Sequence, residues 1–464
     1  MTKPIDPITF AVLKSALESI VDDMAYTVMR TARSPIVRDV LDYSTTMCDA
    51  KGRILAQAKT VALHLGAVPD AMEALMRHYC GDLHPGDVIV FNDPYDGGMH
   101  LPDIFMFKPI FSEGGEGLRH VGFSVVICHH CDVGGRVPGS NASDSTEIFQ
   151  EGLRIPPLKL FDKGVRNKTL FDIITKNVRL PDLVIGDLDA QLATCALGER
   201  ELLRLVEKYG IERLEAFLEE FLDYGERLAR KTFATWPDGT YRFTDYIDGD
   251  GFDEAPIPIR VALTVEGDGL VVDFTGSSPQ VRGAINSTLS FVKSATYLAV
   301  RCTLDADVPN NAGLYRCIAV RAPKGTLLNP DFPAPVAARA LTGYRIVDTV
   351  LGALAQVVPD RVSAAGEGGN SVVCLGGYDK ETREPFIVVD MINGALGARA
   401  TKDGIDAITN PSQNMSNMPV EIMEATYPLM IDEYALRPDS GGAGPNRGGH
   451  AVRIQIRDHA ALAV

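Results

Sequence analysis

The sequence predicts a mixed α/β (α+β) chain of several domains, and three observations carry that expectation. At 464 residues the chain is too long for one ordinary hydrophobic core. Helical periodicity is concentrated at the start and over 182–232, whereas short alternating or all-apolar runs of strand type fill much of the rest. A composition shift near Trp236-Pro-Asp-Gly239 separates the two styles. The expected division is an α/β domain over 1–235 ending in a helical segment, a β-rich domain over 236–340, and a mixed α/β C-terminal domain over 341–464, either whole or cut short.

Each element has a local reason. Residues 6–34 read as a helix, with Asp6 as cap, Pro7 at the first helical position, and Val12, Leu13, Ala16, Ile20, Met24 and Val28 recurring on one face. Arg33-Ser-Pro35 ends it. Tyr43–Met47 and Arg53–Gln57 form a hairpin around Asp49-Ala-Lys-Gly52. Leu65–Tyr79 is helical. Val88–Phe91 and Phe123–Ile127 are apolar strands. From 240 to about 335 the chain reads as β-like, with a hairpin turn at Glu266-Gly-Asp-Gly269. A buried helix follows over 340–357, then strands and Gly-rich turns over 366–398, and a Gly-rich loop over 437–449. The chain closes on a strand-like alternation from Arg453, either an edge strand or the end of a shortened architecture.

Composition excludes several classes. The net charge of −16, with no clustered Lys and Arg, argues against a nucleic-acid binder. No run of about 18 apolar residues predicts a membrane span. The eight cysteines are scattered, and the N-terminus lacks an export signal, so the cytoplasm is the expected compartment.

The chemistry concentrates in two clusters at strand ends. The first is Asn92-Asp-Pro-Tyr-Asp-Gly-Gly-Met-His-Leu-Pro-Asp103; the second is Cys128-His-His-Cys-Asp132, followed by Val133 and Gly134-Gly135. His100 and Asp103, three apart around a proline, can chelate one divalent ion, or they can be incidental to a turn capped by Asp93 and Asp96. His129 and His130 are neighbours, so on a strand they point to opposite faces and only one can join His100. Cys128 and Cys131 lack a second ligand pair and read as small core residues. Asp39 and Asp42 are caps, turn residues or further ligands. No phosphate-loop pattern, dinucleotide fingerprint or nucleophile elbow is present. The loop 441–449, with Arg447, reads as a tight turn rather than an anion cradle.

Taken in order, several stretches resemble the hydantoinase B/oxoprolinase family. They include Asp6-Pro-Ile-Thr-Phe10, Asp42-Tyr-Ser44, the two clusters, Pro138-Gly-Ser140, Gly186-Asp-Leu-Asp-Ala-Gln191, Asp273-Phe-Thr-Gly-Ser-Ser-Pro-Gln280, Asn310-Asn-Ala-Gly313 and Arg437-Pro-Asp-Ser-Gly-Gly-Ala-Gly444. The resemblance spans essentially the whole chain. It implies a protein that holds one divalent metal (zinc, manganese or iron) and works with a hydantoinase A-like ATPase that binds the ATP, in a hetero-oligomer such as a dimer of heterodimers. The ligands it implies are Asp39, where relatives often carry Glu, with His100, Asp103 and His130 or His129. His130 is taken as the ligand, His129 and Asp132 as the groups that move protons, and Asp93 and Asp96 as residues that orient the ligands. Three activities follow in order of preference: ATP-driven opening of hydantoins, 5-oxoproline or lactams; ATP-driven carboxylation of a ketone such as acetone or acetophenone; and a non-catalytic scaffold.

Overall fold

The structure, a computed structural model, describes residues 5–115, 117–369, 371–409, 411–458 and 461–462. Its organising element is a seven-stranded antiparallel sheet in the order β2-β1-β5-β4-β3-β6-β7. The strands are β1 (Tyr43–Asp49), β2 (Ile54–Gln57), β3 (Val88–Phe91), β4 (Asp103–Gly114), β5 (Gly117–His129), β6 (Leu158–Asp162) and β7 (Val165–Arg166). The centre of this sheet is apolar on both faces. Phe91, Phe105 and Phe107 stack within 5.3–6.1 Å of one another and are fully buried. Burying each such ring stabilises the fold by roughly 2–3 kcal/mol.

Two long helices cover one face. Helix Pro7–Thr31 starts where Asp6 accepts the Thr9 amide at 2.9 Å, a cap worth about 1 kcal/mol. Its Leu13, Leu17, Ile20, Val21, Met24 and Val28 are buried against the sheet and against helix Pro181–Tyr209. Helix Ile211–Phe233 follows directly, so the segment predicted over 182–232 is a pair of helices broken at Gly210, whose φ is +81°. Asp187 joins the layers: it accepts the amides of Arg33 and Ser34 at 2.7 and 3.0 Å and the Ser34 hydroxyl.

The middle of the chain departs from expectation. Strands β8 (Gly239–Ile247), β9 (Ile257–Glu266), β10 (Gly269–Asp273) and β11 (Ile318–Arg321) form a four-stranded sheet, with the hairpin at 266–269 in place. Between β10 and β11, however, the chain forms helix Leu289–Arg301. Its Phe291, Val292, Ala295 and Ala299 follow helical spacing and are fully buried. It packs on helix Arg339–Leu354, the buried helix expected near 340–357, which also lies on β8 and β9.

The remaining strands are β12 (Ser371–Tyr378) and β13 (Pro385–Ile392), a hairpin to which β16 (Ala461–Leu462) adds, and the pair β14 (Leu429–Leu436) and β15 (Val452–Asp458). The segment between β13 and β14 reaches back to the main sheet: Ser416 donates to the Val40 carbonyl, and the Ser412 carbonyl accepts the Leu63 amide. Among the described residues no helix is long and apolar enough to cross a membrane.

A candidate metal centre at the end of the main sheet

Three neighbouring strands deliver the key side chains. Asp103, the first residue of β4, pairs with His129, the last of β5. The His129 amide in turn donates to the carbonyl of Asp42, just before β1. Residues opposite one another on adjacent strands share a face, so Asp42, His129 and Asp103 stand in a row. His100 reaches the same place from a turn closed by the Asp103 amide on the His100 carbonyl. Asn92 fixes that turn, donating to the Leu101 and Leu153 carbonyls at 2.7 and 3.0 Å and accepting the Ile155 amide at 2.7 Å.

The cluster is almost completely buried, with Asp42, His64, His100, Asp103 and His129 each exposed by 3% or less. Ligand-type atoms of His100, Asp103 and His129 lie within 4.8 Å of one another. His100 Nε2 and Asp103 Oδ1 are 3.2 Å apart, yet among the described residues neither has a hydrogen-bond partner, nor do Asp42 Oδ1 and His129 Nδ1. Two ligands on one ion at bonds of roughly 2.0–2.2 Å would sit about 2.8–3.6 Å apart, from right-angled to tetrahedral geometry. Buried polar atoms left unpaired cost free energy. Several such atoms converging at this spacing fit a cation between them.

The surroundings set the protonation states. His100 Nδ1 lies 3.0 Å from the Ala337 carbonyl, which requires the proton on Nδ1 and leaves the Nε2 lone pair facing the cluster. Burial, then the Arg339 guanidinium, push the His100 imidazolium below its usual range, so the ring is neutral. Burial pushes His129 down as well. Asp103 Oδ2 accepts from Arg339 at 2.6 Å, which keeps Oδ1 free. Burial opposes ionisation of Asp103, but the Arg339 guanidinium beside it favours the charged form, and the carboxyl is held well below the ordinary range. Asp42 is pushed the other way, by burial and then by the Asp103 charge. It holds a proton unless another cation takes that place.

The sequence pattern did not reveal His64. It stands in the short helix Ala62–Leu65 with Nε2 3.3 Å from Asp42 Oδ1 and 3.8 Å from Asp103 Oδ1. Ser44 Oγ already donates to the Val61 carbonyl, so it accepts from His64 Nδ1 at 3.1 Å, and His64 Nε2 is the unprotonated nitrogen. Burial lowers its pKa to about 4. A lone His between two leucines gave no signal beyond its residue type.

Several expected site residues lie elsewhere. Asp39 ends a short helix and pairs with the partly exposed Arg38 at 2.8 Å, whereas Asp42, three residues on, faces the cluster. His130 does not join His100: its side chain turns to the opposite face and lies 3.1 Å from Gln191 Oε1, while Gln191 Nε2 donates to the Ile104 and Val126 carbonyls. The alternation of a strand makes this necessary once His129 faces inward. Asp132 is fully engaged, accepting from the Arg179 guanidinium at 2.7 Å, the Arg179 amide at 2.8 Å and the Gly134 amide at 3.2 Å, and so has no free oxygen for proton transfer. His129 is inside the cluster rather than free beside it. Asp93 caps the turn at Tyr95 and pairs with Arg154, and Asp96 faces Arg77 at 4.0 Å. Cys128 and Cys131 are free thiols in the core.

The end of the site away from the sheet comes from a distant segment. Glu151 Oε1 accepts the amides of Val336 and Ala337 at 2.6 and 2.9 Å. Two residues further, Arg339 reaches Asp103 and lies with its guanidinium 4.7 Å from the Phe291 ring centre.

The chain and its fold have counterparts among known proteins. The hydantoinase B/oxoprolinase family profile matches residues 6–464, and the chain belongs to that family. A relative from Pseudomonas sp. (strain NS671), named as the B component of a D-/L-hydantoinase, is 37% identical, over 96% of this chain and 77% of the relative. The crystal structure of the ATP-dependent caprolactamase from Pseudomonas jessenii superposes with a TM-score of 0.93 at 33% identity, covering 98% of this chain and 79% of the other. A nucleotide-free acetone carboxylase superposes with a TM-score of 0.90 over 98% of this chain and 63% of the other; at 23% identity this is a likeness of fold.

Proposed function

We propose that this chain is the metal-bearing component of an ATP-driven hydrolase of cyclic amides, acting with a hydantoinase A-like ATPase in a hetero-oligomer. One observation carries the reading: buried ligand atoms of His100, Asp103 and His129 lie within 4.8 Å of one another, with Asp42 beside them across His64. The relatives named for hydantoin and caprolactam hydrolysis support the substrate class. The proposed ligands are Asp42, His100, Asp103 and His129, a set suited to zinc, manganese or iron.

When bound, such an ion polarises an amide or phosphorylated-amide oxygen and lowers the pKa of a coordinated water. The protein supplies the rest. The Ala337 carbonyl fixes the His100 tautomer, and Arg339 aims Asp103. His64 stays neutral, so its Nε2 can accept a hydrogen bond from water or substrate beside Asp42. ATP binds on the partner, which activates the ring by phosphorylation.

The test is metal analysis of the purified chain and of His100→Ala, followed by turnover of hydantoin, 5-oxoproline and ε-caprolactam with ATP and the partner. The reading expects about one equivalent of metal, lost in the variant together with turnover. Full turnover by metal-free protein would sink it, and ketone consumption that depends on bicarbonate would transfer the site to carboxylation.

A further inference from the structure

The side chain that holds the far wall of the site is not in the cluster. Glu151 is 2% exposed, follows the short turn Ile148–Gln150, and directs Oε1 at two successive amides, Val336 and Ala337. The Ala337 carbonyl is the acceptor for His100 Nδ1 at 3.0 Å, and Arg339 grips Asp103 at 2.6 Å. A single carboxyl group thus fixes a short segment that makes one contact to each of two proposed ligands. The same segment has other fastenings: Tyr95 Oη donates to the Ala334 carbonyl at 2.6 Å, and Asn286 Nδ2 to the Pro335 carbonyl at 3.1 Å. Neither of these residues is the one that touches His100.

We infer that Glu151 is a positioning residue of the metal centre, which sets the tautomer of His100 and the aim of Asp103 through the backbone of residues 336–339. The inference rests on the metal reading of the cluster. The physical basis is a chain of three groups. A carboxyl oxygen that accepts two adjacent amides fixes the peptide planes on either side of Val336 and so the place of the Ala337 Cα, one backbone rotation from the Ala337 carbonyl; the Ala338 amide in that carbonyl's own plane donates to the Ala284 carbonyl at 2.9 Å. That carbonyl holds the proton on His100 Nδ1, so the Nε2 lone pair is always the one presented. Without the clamp the segment relaxes, His100 samples both tautomers, and Arg339 releases Asp103 Oδ2. Groups that orient metal ligands in this way are worth about 10–100-fold in metal affinity.

The experiment uses the full chain with Zn²⁺ or Mn²⁺ alone. Glu151→Ala should bind either ion about 10–100-fold more weakly by competition with a chelator. In its metal-free form the ¹⁵N signals of the His100 ring should show a mixture of tautomers. Glu151→Gln, which keeps an acceptor in the same place, should restore the single tautomer and most of the affinity. Tyr95→Phe, which cuts a fastening of the same segment, should lower Tm but leave tautomer and affinity unchanged. A folded Glu151→Ala with wild-type affinity and a single His100 tautomer would overturn the inference. Where the alanine variant does not fold, hydrogen exchange of the wild type decides: the Val336 and Ala337 amides should be protected, and fast exchange there overturns the clamp. A wild type that binds no metal removes the metal reading, while the tautomer and exchange results still judge the clamp.

Discussion

His129 and His130 are consecutive residues, yet they end in opposite kinds of surroundings. On the His129 side, His100 Nε2, Asp103 Oδ1 and Asp42 Oδ1 are buried and lack hydrogen-bond partners. On the His130 side, Gln191 spends its oxygen on the imidazole and its nitrogen on two carbonyls, and Asp132 is filled by Arg179 and Gly134. Among the described residues, His130 Nδ1 is left over there, as is Thr194 Oγ1 one turn from Gln191 on the same helix. Both faces are polar and buried, so neither polarity nor burial separates a site from a strut. The separation lies in whether the polar atoms are satisfied by the protein itself.

The largest effect should come from the pair itself. His129→Ala is expected to lose the metal and all turnover. His130→Ala should keep about one equivalent of metal and lose roughly 1–2 kcal/mol of stability through the orphaned Gln191. Metal content and urea unfolding of the two variants check this; metal loss on the His130 side would reverse the assignment. Next comes the pair Asp42 and Asp39. Asp42→Ala should weaken metal binding by tenfold or more. Asp39→Ala removes only an ion pair with a partly exposed Arg38, so a change of about 0.5 kcal/mol or less and unaltered metal are expected. A metal-free Asp39→Ala protein would restore the carboxylate that the family resemblance implied.

These corrections show what the sequence could carry. Strand ends rich in His and Asp marked the right part of the fold, because the apolar runs before them needed no tertiary information to be recognised. The alternation rule limited the two histidines to one ligand, but the choice depends on which face of β5 meets helix Pro181–Tyr209, and that is set by packing. Asp39 and Asp42 are separated by a short helix and by Leu41, whose φ is +67°, a bend that spacing does not reveal. His64 and Glu151 were illegible for a different reason. Each acts through contacts made across long stretches of chain, and neither sits in a patterned neighbourhood. Helix Leu289–Arg301 falls within the stretch that reads as β-like, while its burial against helix Arg339–Leu354 decides otherwise.

A smaller effect sharpens the comparison on the satisfied side. Asp132→Ala leaves the Arg179 guanidinium and two amides without their acceptor. It should cost about 2–3 kcal/mol in urea unfolding, with metal content unchanged. A variant that loses metal at wild-type stability would make Asp132 part of the site after all.

The last contrast is a slope. Glu151 belongs to the unsatisfied side, since Oε2 has no partner while Oε1 accepts two amides. Burial pushes its carboxyl from 4.5 up to about 8, and the two amides only partly oppose this. Below about 4.5 the group is protonated in both folded and unfolded chains and costs nothing. Between there and about 8 the unfolded chain ionises and the folded one does not, so the folded state binds more protons and stability falls as pH rises. Above about 8 both forms are ionised and the loss stays constant. Glu151→Gln keeps an acceptor for the amides and has no proton to lose. Urea unfolding of metal-free protein at pH 5, 6, 7 and 8 should show the glutamine variant gaining on the wild type with each step. Parallel stability curves would mean that Oε2 is solvated or partnered, and Glu151 would then belong with Asp132 among the satisfied struts.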